Sequence, residues 1–281
     1  LNNKNLFQYG PLDQGWWPDG LYTAPTDEAL LYDVKKTKDW GFNMIRKHVK
    51  VEPARWYYHC DKEGMLVWQD MPSGDMGNSW APHTYNGGTD KDRTAESVAN
   101  YYQEWKEIMD LCVSNPSVVV WVPFNEAWGQ FDTEKVVEWT ASYDPSRLVN
   151  PASGGNHRSC GDILDLHNYP APDMYLFDPQ RVNVLGEYGG IGLPVENHLW
   201  WNKRNWGYVQ FKNSAEVTAE YVKYANILKD YVKRGFSAAV YTQTTDVEGE
   251  VNGLMTYDRK VIKIDEAAVR KANQAVINEL K

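Results

Sequence analysis

The run Val118-Val-Val-Trp-Val-Pro-Phe-Asn-Glu126 decides the fold of this chain. Its unbroken apolar body is what a strand buried on both faces requires, as in a parallel sheet covered by helices, and it stops at a polar pair, Asn125-Glu126. A second run, Val182-Asn-Val-Leu-Gly-Glu187, ends in the same way. Side chains placed where buried strands run out are held rigidly yet can meet a ligand.

Outward from these two runs, short stretches rich in Val, Ile, Phe, Trp and Tyr alternate with longer amphipathic ones. The spacing predicts eight strands: Leu6–Gly10, Phe42–Val49, Met65–Gln69, Ser117–Phe124, Leu148–Ala152, Ile163–Asn168, Asn183–Glu187 and Ser237–Gln243. Helices are predicted at Thr26–Trp40, Pro53–Lys62, Thr94–Val113, Thr133–Tyr143 and Ala215–Arg234, with a closing helix near Glu266–Leu280. Thr26-Asp-Glu supplies a polar start, Pro53 suits a first helical turn, and Gly41 and Gly235 supply stops. The stretches 154–161 and 170–179 are dominated by helix breakers, so helices there are expected to be short or absent. No Gly-x-Gly-x-x-Gly follows the first strand, which favours a closed (β/α)8 TIM barrel over an open doubly wound sheet. At 281 residues the whole chain, 1–281, reads as a single barrel of α/β class, which typically needs about 250.

Composition narrows the partners. A net charge of −9 without long basic runs excludes nucleic acid, and no apolar stretch is long enough to span a membrane. The 13 Trp and 18 Tyr offer flat apolar faces with polar edges, which suit sugar rings as well as core packing. Cys60, Cys112 and Cys160 stand apart and are expected as free thiols. The chain begins at Leu1 with no secretory leader, and is expected to be excised from a longer protein. A secreted or periplasmic parent stays open, as does the oligomeric state.

Two carboxylates at one barrel mouth are the parts needed to break a glycosidic bond, one to protonate the leaving oxygen and one to attack or stabilise the anomeric carbon. Asn125 offers an amide to a sugar hydroxyl, or is simply the start of a loop. Arg46, near the end of the second strand, can favour an ionised carboxylate, or lie on the surface. His167 and Tyr169 end the sixth strand, where the tyrosine hydroxyl can steady a nucleophile; packing is the alternative. Asp70, just past the third strand, and Trp128, just past Glu126, join the substrate-binding candidates. The six histidines lack His-Glu-x-x-His or His-x-x-x-His spacing, no Gly-x-Ser-x-Gly occurs, and Asp246-Val-Glu-Gly-Glu250 lacks the order of a calcium loop. No metal site is therefore assigned. A carbohydrate-binding barrel without catalysis and a metal-dependent barrel hydrolase are the competing readings.

Four segments together resemble the catalytic barrel of glycoside hydrolase family 2: Gly41-Phe-Asn-Met-Ile-Arg46, Gly64-Met-Leu-Val-Trp-Gln-Asp70, Pro116 through Glu126, and Gly186-Glu-Tyr-Gly189. The resemblance implies a retaining exo-β-glycosidase with carbohydrate as its partner. By motif, Glu126 would be the acid/base and Glu187 the nucleophile. Asn125 would bind the 2-hydroxyl, Arg46 would support the carboxylates, and Tyr169 would hydrogen-bond Glu187. It implies no required cofactor; some relatives bind magnesium, whose ligands do not map onto this chain. Upstream β-sandwich domains are usual in the family and are expected in the parent protein.

Departures from the pattern fall on the residues that read the sugar. Lys47-His48-Val-Lys-Val-Glu-Pro53 replaces a Ser-His-Tyr-Pro pattern, and Asn252-Gly253-Leu254 lacks the lysine that holds a glucuronate. Tyr241-Thr-Gln243 replaces a tryptophan, leaving Tyr241, or Trp200, Trp201 or Trp206, as the expected sugar platform. A β-galactoside is the first expected substrate.

Overall fold

The computed structural model describes residues 1–280. The order is β1 (Gln8–Asp13), α1 (Asp27–Asp39), β2 (Met44–Lys47), α2 (Ala54–Glu63), β3 (Leu66–Asp70), α3 (Ala95–Cys112) and β4 (Val118–Val122). There follow α4 (Thr133–Tyr143), β5 (Leu148–Val149), β6 (Ile163–Asn168), β7 (Val182–Gly189), β8 (Ile191–Gly192) and β9 (Val209–Gln210). The chain then forms α5 (Ser214–Lys233), β10 (Phe236–Thr242), α6 (Glu266–Ile277) and a final 3₁₀ turn, Asn278–Leu280.

Eight parallel strands neighbour one another in the order β5-β4-β3-β2-β1-β10-β7-β6. The two ends meet where Asp162 N donates to Val149 O at 2.9 Å and Gly154 N to Asp165 O at 3.1 Å. The result is a nearly closed TIM barrel. As the breakers in the sequence imply, no helix lies between β5 and β7 among the described residues. The short parallel pair of β8 and β9 projects from the segment between β7 and α5.

Two apolar clusters sort the strand side chains. Leu12, Met44, Trp68, Val120, Val122, Ile163, Val184, Ala238 and Val240 fill the barrel interior. The larger cluster, including Tyr9, Val34, Ile45, Val67, Trp105, Leu185 and Leu228, lies between the strands and their helices. Because side chains alternate along a strand, interior Met44 puts Arg46 in the interior too, and Trp68 does the same for Asp70. The barrel floor is apolar and its carboxyl-end mouth is polar and charged.

Thr26 caps α1 by accepting from Ala29 N at 3.1 Å, whereas Pro53 occupies the cap position of α2 rather than its first turn. Several strands differ from the sequence reading: β2 is confined to Met44–Lys47 within the expected Phe42–Val49, β8 and β9 are additional, and β1 and β5 change for local reasons. β1 continues through Pro11 to Asp13, because Leu12 is buried and pairs in register with Arg46. β5 stops at Val149: Pro151 has no N–H to give, and isolated bonds, Asn150 N to Trp121 O, Ser153 N to Phe124 O and Glu126 N to Ser153 O, carry the pairing onward.

Candidate active site

Arg46 is the hub of the mouth. Fully buried at the end of β2, its guanidinium forms a two-pronged pair with Asp70 of β3, Nε to Oδ1 at 3.1 Å and an Nη to Oδ2 at 3.0 Å. It also donates to Asn125 Oδ1 at 2.7 Å, to Gly186 O at 3.1 Å and to Glu187 Oε1 at 3.1 Å. A buried guanidinium is tolerated only when its donors are met this fully. Burial would lower its pKa, but the charges of Asp70, Glu187 and Asp165 outweigh that and raise it. Asp70 is likewise held below the ordinary carboxylate range despite burial, by Arg46 and by His48, whose Nδ1 lies 3.2 Å from Oδ2.

Glu187, near the end of β7, has both oxygens occupied. Arg46 takes Oε1, and the Tyr169 hydroxyl donates to Oε2 at 2.6 Å. Tyr169 also meets Thr242 Oγ1 at 2.6 Å, and its ring stacks on Tyr208 with centroids 3.7 Å apart. Burial and the adjacent Glu187 charge push the Tyr169 phenol well up, so it remains a donor.

Glu126 stands just beyond β4 with φ of 47°, followed by Ala127 at 64°. Two successive left-handed residues are strained, and persist only where the surroundings fix them. Here Glu126 N donates to Ser153 O at 2.8 Å and Trp128 N to Asn125 O at 2.7 Å. The Glu126 carboxylate meets His167 Nδ1 at 2.8 Å, while His167 Nε2 lies 2.8 Å from Ser153 Oγ. Ser153 donates onward to Asp165. The His167 ring rests on Gly154, where a Cβ would come within 2.2 Å of Nδ1, so no larger residue fits. Burial would raise the Glu126 pKa, but His167, with His48 and Arg46, lowers it. For His167, burial works downward, but Glu187, Glu126 and Asp165 raise it.

The two glutamates therefore face each other. One oxygen from each and a ring nitrogen of His167 lie within 4.8 Å of one another. Such a trio can hold a metal ion, but magnesium asks for oxygen ligands in octahedral array, and one of these carboxylates is already paired with a guanidinium. The donor set fits that ion poorly.

Of the residues singled out in the sequence, Arg46, Asp70, Asn125, Glu126, His167, Tyr169 and Glu187 come together at the mouth. Trp128 lies at the rim, its ring edge-on to His48 with centroids 5.8 Å apart. Tyr241 does not belong to the site. Its neighbours in β10, Val240 and Thr242, face inward, so Tyr241 points out and is buried against Tyr188 and Tyr221. The expectation of a sugar platform there is corrected. Ser153, Asp165, Tyr208, Gln243 and Glu250 escaped the sequence reading. Asp165 alone left a signal, a charge inside the apolar strand Ile163-Leu-Asp-Leu-His167.

Residues 23–181 match the family described as glycosyl hydrolases family 2, TIM barrel domain. The chain belongs to glycoside hydrolase family 2. Family relatives include the β-galactosidase of Vibrio vulnificus (strain YJ016), 25% identical over 185 residues, covering 66% of this chain and 16% of that protein. The β-galactosidase of Halalkalibacterium halodurans is 25% identical over 260 residues, covering 84% of this chain and 24% of that protein. The chain thus spans a quarter or less of these family 2 relatives. Among solved structures, a putative β-galactosidase from Bacteroides fragilis superimposes with a TM-score of 0.68 at 19% identity, over 97% of this chain and 42% of that one. A β-D-glucuronidase from Dictyoglomus thermophilum gives 0.69 at 12% identity, over 98% and 51%. These likenesses carry the family 2 barrel fold.

Proposed function

We propose that this barrel hydrolyses terminal β-linked sugars with retention of anomeric configuration, β-galactosides being the first substrate to test. The single observation that carries the reading is the approach of Glu126 and Glu187 to within 4.8 Å. Retaining enzymes hold their carboxyls roughly 5 to 5.5 Å apart, whereas inverting ones leave about 6.5 to 9.5 Å for a water. The galactoside preference draws on the names of the curated relatives.

Glu187 is the nucleophile. Arg46 and Tyr169 fix both its oxygens, so it attacks the anomeric carbon without reorganising, and its C–O bond forms as the glycosidic C–O bond breaks. Glu126 gives its proton to the departing oxygen. In the resting site that proton is shared with His167, whose raised pKa keeps it at the Glu126–His167 hydrogen bond. In the second half, Glu126 takes a proton from water, which attacks the glycosyl ester and frees Glu187. Asn125 has an unpartnered buried Nδ2, its Oδ1 being taken by Arg46, and this amide donates to a sugar hydroxyl beside the reacting carbon. No step uses a metal or cofactor.

Aryl β-galactoside, β-glucoside, β-mannoside and β-glucuronide, offered to wild type, Glu187→Ala and Glu126→Ala, test the proposal. Both variants are expected to lose turnover, and azide to restore part of it to Glu126→Ala with an activated leaving group. Chelation should leave the wild-type rate unchanged. Unaltered hydrolysis in either variant contradicts the assignment, and sugar binding without turnover in wild type favours a binding barrel instead.

A further inference from the structure

Beside the paired glutamates, the loop between β8 and β9 and the loop after β10 enclose a cavity of about 350 Å³ whose lining includes Gln14, Trp201, Arg204, Trp206 and Glu250. We propose that this cavity is a second sugar subsite that takes an uncharged ring next to the one being cleaved, and that Glu250 turns anionic sugars away. The proposal rests on the glycosidase reading of Glu126 and Glu187.

Trp201 and Trp206 are 50% and 41% exposed, large apolar surfaces left in water. They are nevertheless fixed in place. Trp206 N donates to Gly249 O at 2.8 Å, and Val251 N to Trp206 O at 2.9 Å. The Trp206 ring meets Tyr208 edge-on at 5.4 Å, Tyr208 stacks on Tyr169, and Tyr169 holds Glu187. A chain of ring contacts, one edge-on and one stacked, thus joins the cavity to Glu187. Trp201 lies against Gly249, where a Cβ would come within 3.1 Å of the indole Nε1. Preorganised aromatic faces of this kind suit the C–H face of a sugar ring.

The polar side of the cavity is equally fixed. Gln14 Nε2 donates to Gln243 Oε1 at 2.9 Å, and Gln243 Nε2 donates to Glu250 Oε2 at 2.5 Å and to Asn252 Oδ1 at 2.7 Å. This chain of amides aims the Glu250 carboxylate and leaves it lone pairs for sugar hydroxyls. Arg204, exposed to solvent, also lines the cavity. A uronate would bring a further negative charge against Glu250, which already feels Glu187, and against exposed Glu248, which also lines the cavity; Glu250 is the one fixed by the amide chain. Exposed Arg204 repays little of that repulsion, since surface pairs are worth little.

Labelling the 13 tryptophans with 5-fluorotryptophan allows the cavity to be read by fluorine NMR, with Trp201→Phe and Trp206→Phe assigning their two signals. Galactose, glucose, mannose and lactose are titrated against glucuronate and galacturonate, in wild type and in Glu187→Gln. Neutral sugars are expected to shift both signals saturably, and uronates to leave them unmoved until Glu250→Gln lets them bind. Trp206→Ala should weaken the neutral-sugar affinity about tenfold, followed on the Trp201 signal. Signals that no neutral sugar moves, or that uronates move as readily in wild type, overturn the subsite. Shifts that persist with no turnover in wild type would sink the glycosidase reading and leave the subsite standing, and undiminished hydrolysis by Glu187→Gln would overturn only its role as nucleophile. Hydrolysis lost in Glu187→Gln with no shift from any neutral sugar would overturn the subsite and leave the glycosidase reading standing.

Discussion

The floor of the mouth and its rim are built on opposite terms. Arg46, Asp70, Asn125 and Glu187 sit at or just beyond the ends of four barrel strands, nearly inaccessible, with each charge met by a partner. Trp201, Trp206 and Glu250 sit on loops, with aromatic faces in water and one carboxylate steadied only by amides. The floor has given up adaptability for fixed geometry, which is what a reacting centre needs, whereas the rim keeps open surface for a ligand to cover. Substitutions on either side should therefore fail differently: chemistry and stability at the floor, recognition at the rim.

The largest effect is expected at Glu187. Glu187→Gln removes the oxygen anion proposed to attack and sets an amide NH2 against one of its two donors, so turnover should fall about 10⁴-fold or more, while the melting temperature falls less than for Asp70→Ala because Arg46 keeps its two-pronged pair with Asp70. A matching loss of stability would show that floor chemistry and floor packing cannot be separated. Next comes Asp70→Ala, which strands the Arg46 guanidinium in the interior. It should cost about 3 to 5 kcal/mol in urea unfolding, the usual penalty for leaving a buried charge without its partner.

The rim should answer more weakly, and to pH. Burial raises Glu250 from 4.5 to about 6. The folded chain therefore keeps this proton while the unfolded chain has released it, and stability falls as pH climbs from about 4.5 to 6, then stays lowered. Asp70 acts in the opposite sense: its depressed pKa contributes stability that is present above about 4 and lost as pH falls through the folded value. Asp246, raised by burial from 3.8 to about 6, adds to the same slope, so Glu250→Gln should reduce the slope rather than abolish it and raise neutral-pH stability by on the order of 1 kcal/mol, measured by urea midpoints from pH 4 to 7. The smallest change is expected for Trp201→Ala, within about 0.5 kcal/mol, against about 3 to 5 kcal/mol for Trp68→Ala in the barrel interior. Equal costs at Trp68 and Trp201 would erase the contrast between floor and rim.

The same division governs what the sequence could disclose. β4 and β7 are legible because their side chains are buried on both faces, and Glu126 and Glu187 stand out where that burial ends. Burial on both faces hides the phase of a strand, however. In Phe236-Ser-Ala-Ala-Val-Tyr-Thr242 nothing local says whether Val240 or Tyr241 looks inward, and Tyr241 proves to face the helices. Glu250, Gln14 and Gln243 form one hydrogen-bonded chain from distant segments, so no spacing betrays them. His48 is visible as a residue, but its bond to Asp70 exists only once β2 and β3 lie side by side. Asp246, whose neighbourhood has some resemblance to a calcium loop in sequence, is instead spent on an ion pair with buried Lys263 at 2.6 Å.

The close facing of Glu126 and Glu187 commits the reaction to a stereochemical outcome. Proton NMR of the sugar released in the first moments of hydrolysis of an accepted aryl β-glycoside, before mutarotation, reads it directly. The account predicts the β-anomer as the first product. An α-anomer formed first would mean that water, not Glu187, attacks the anomeric carbon, and would contradict the central claim.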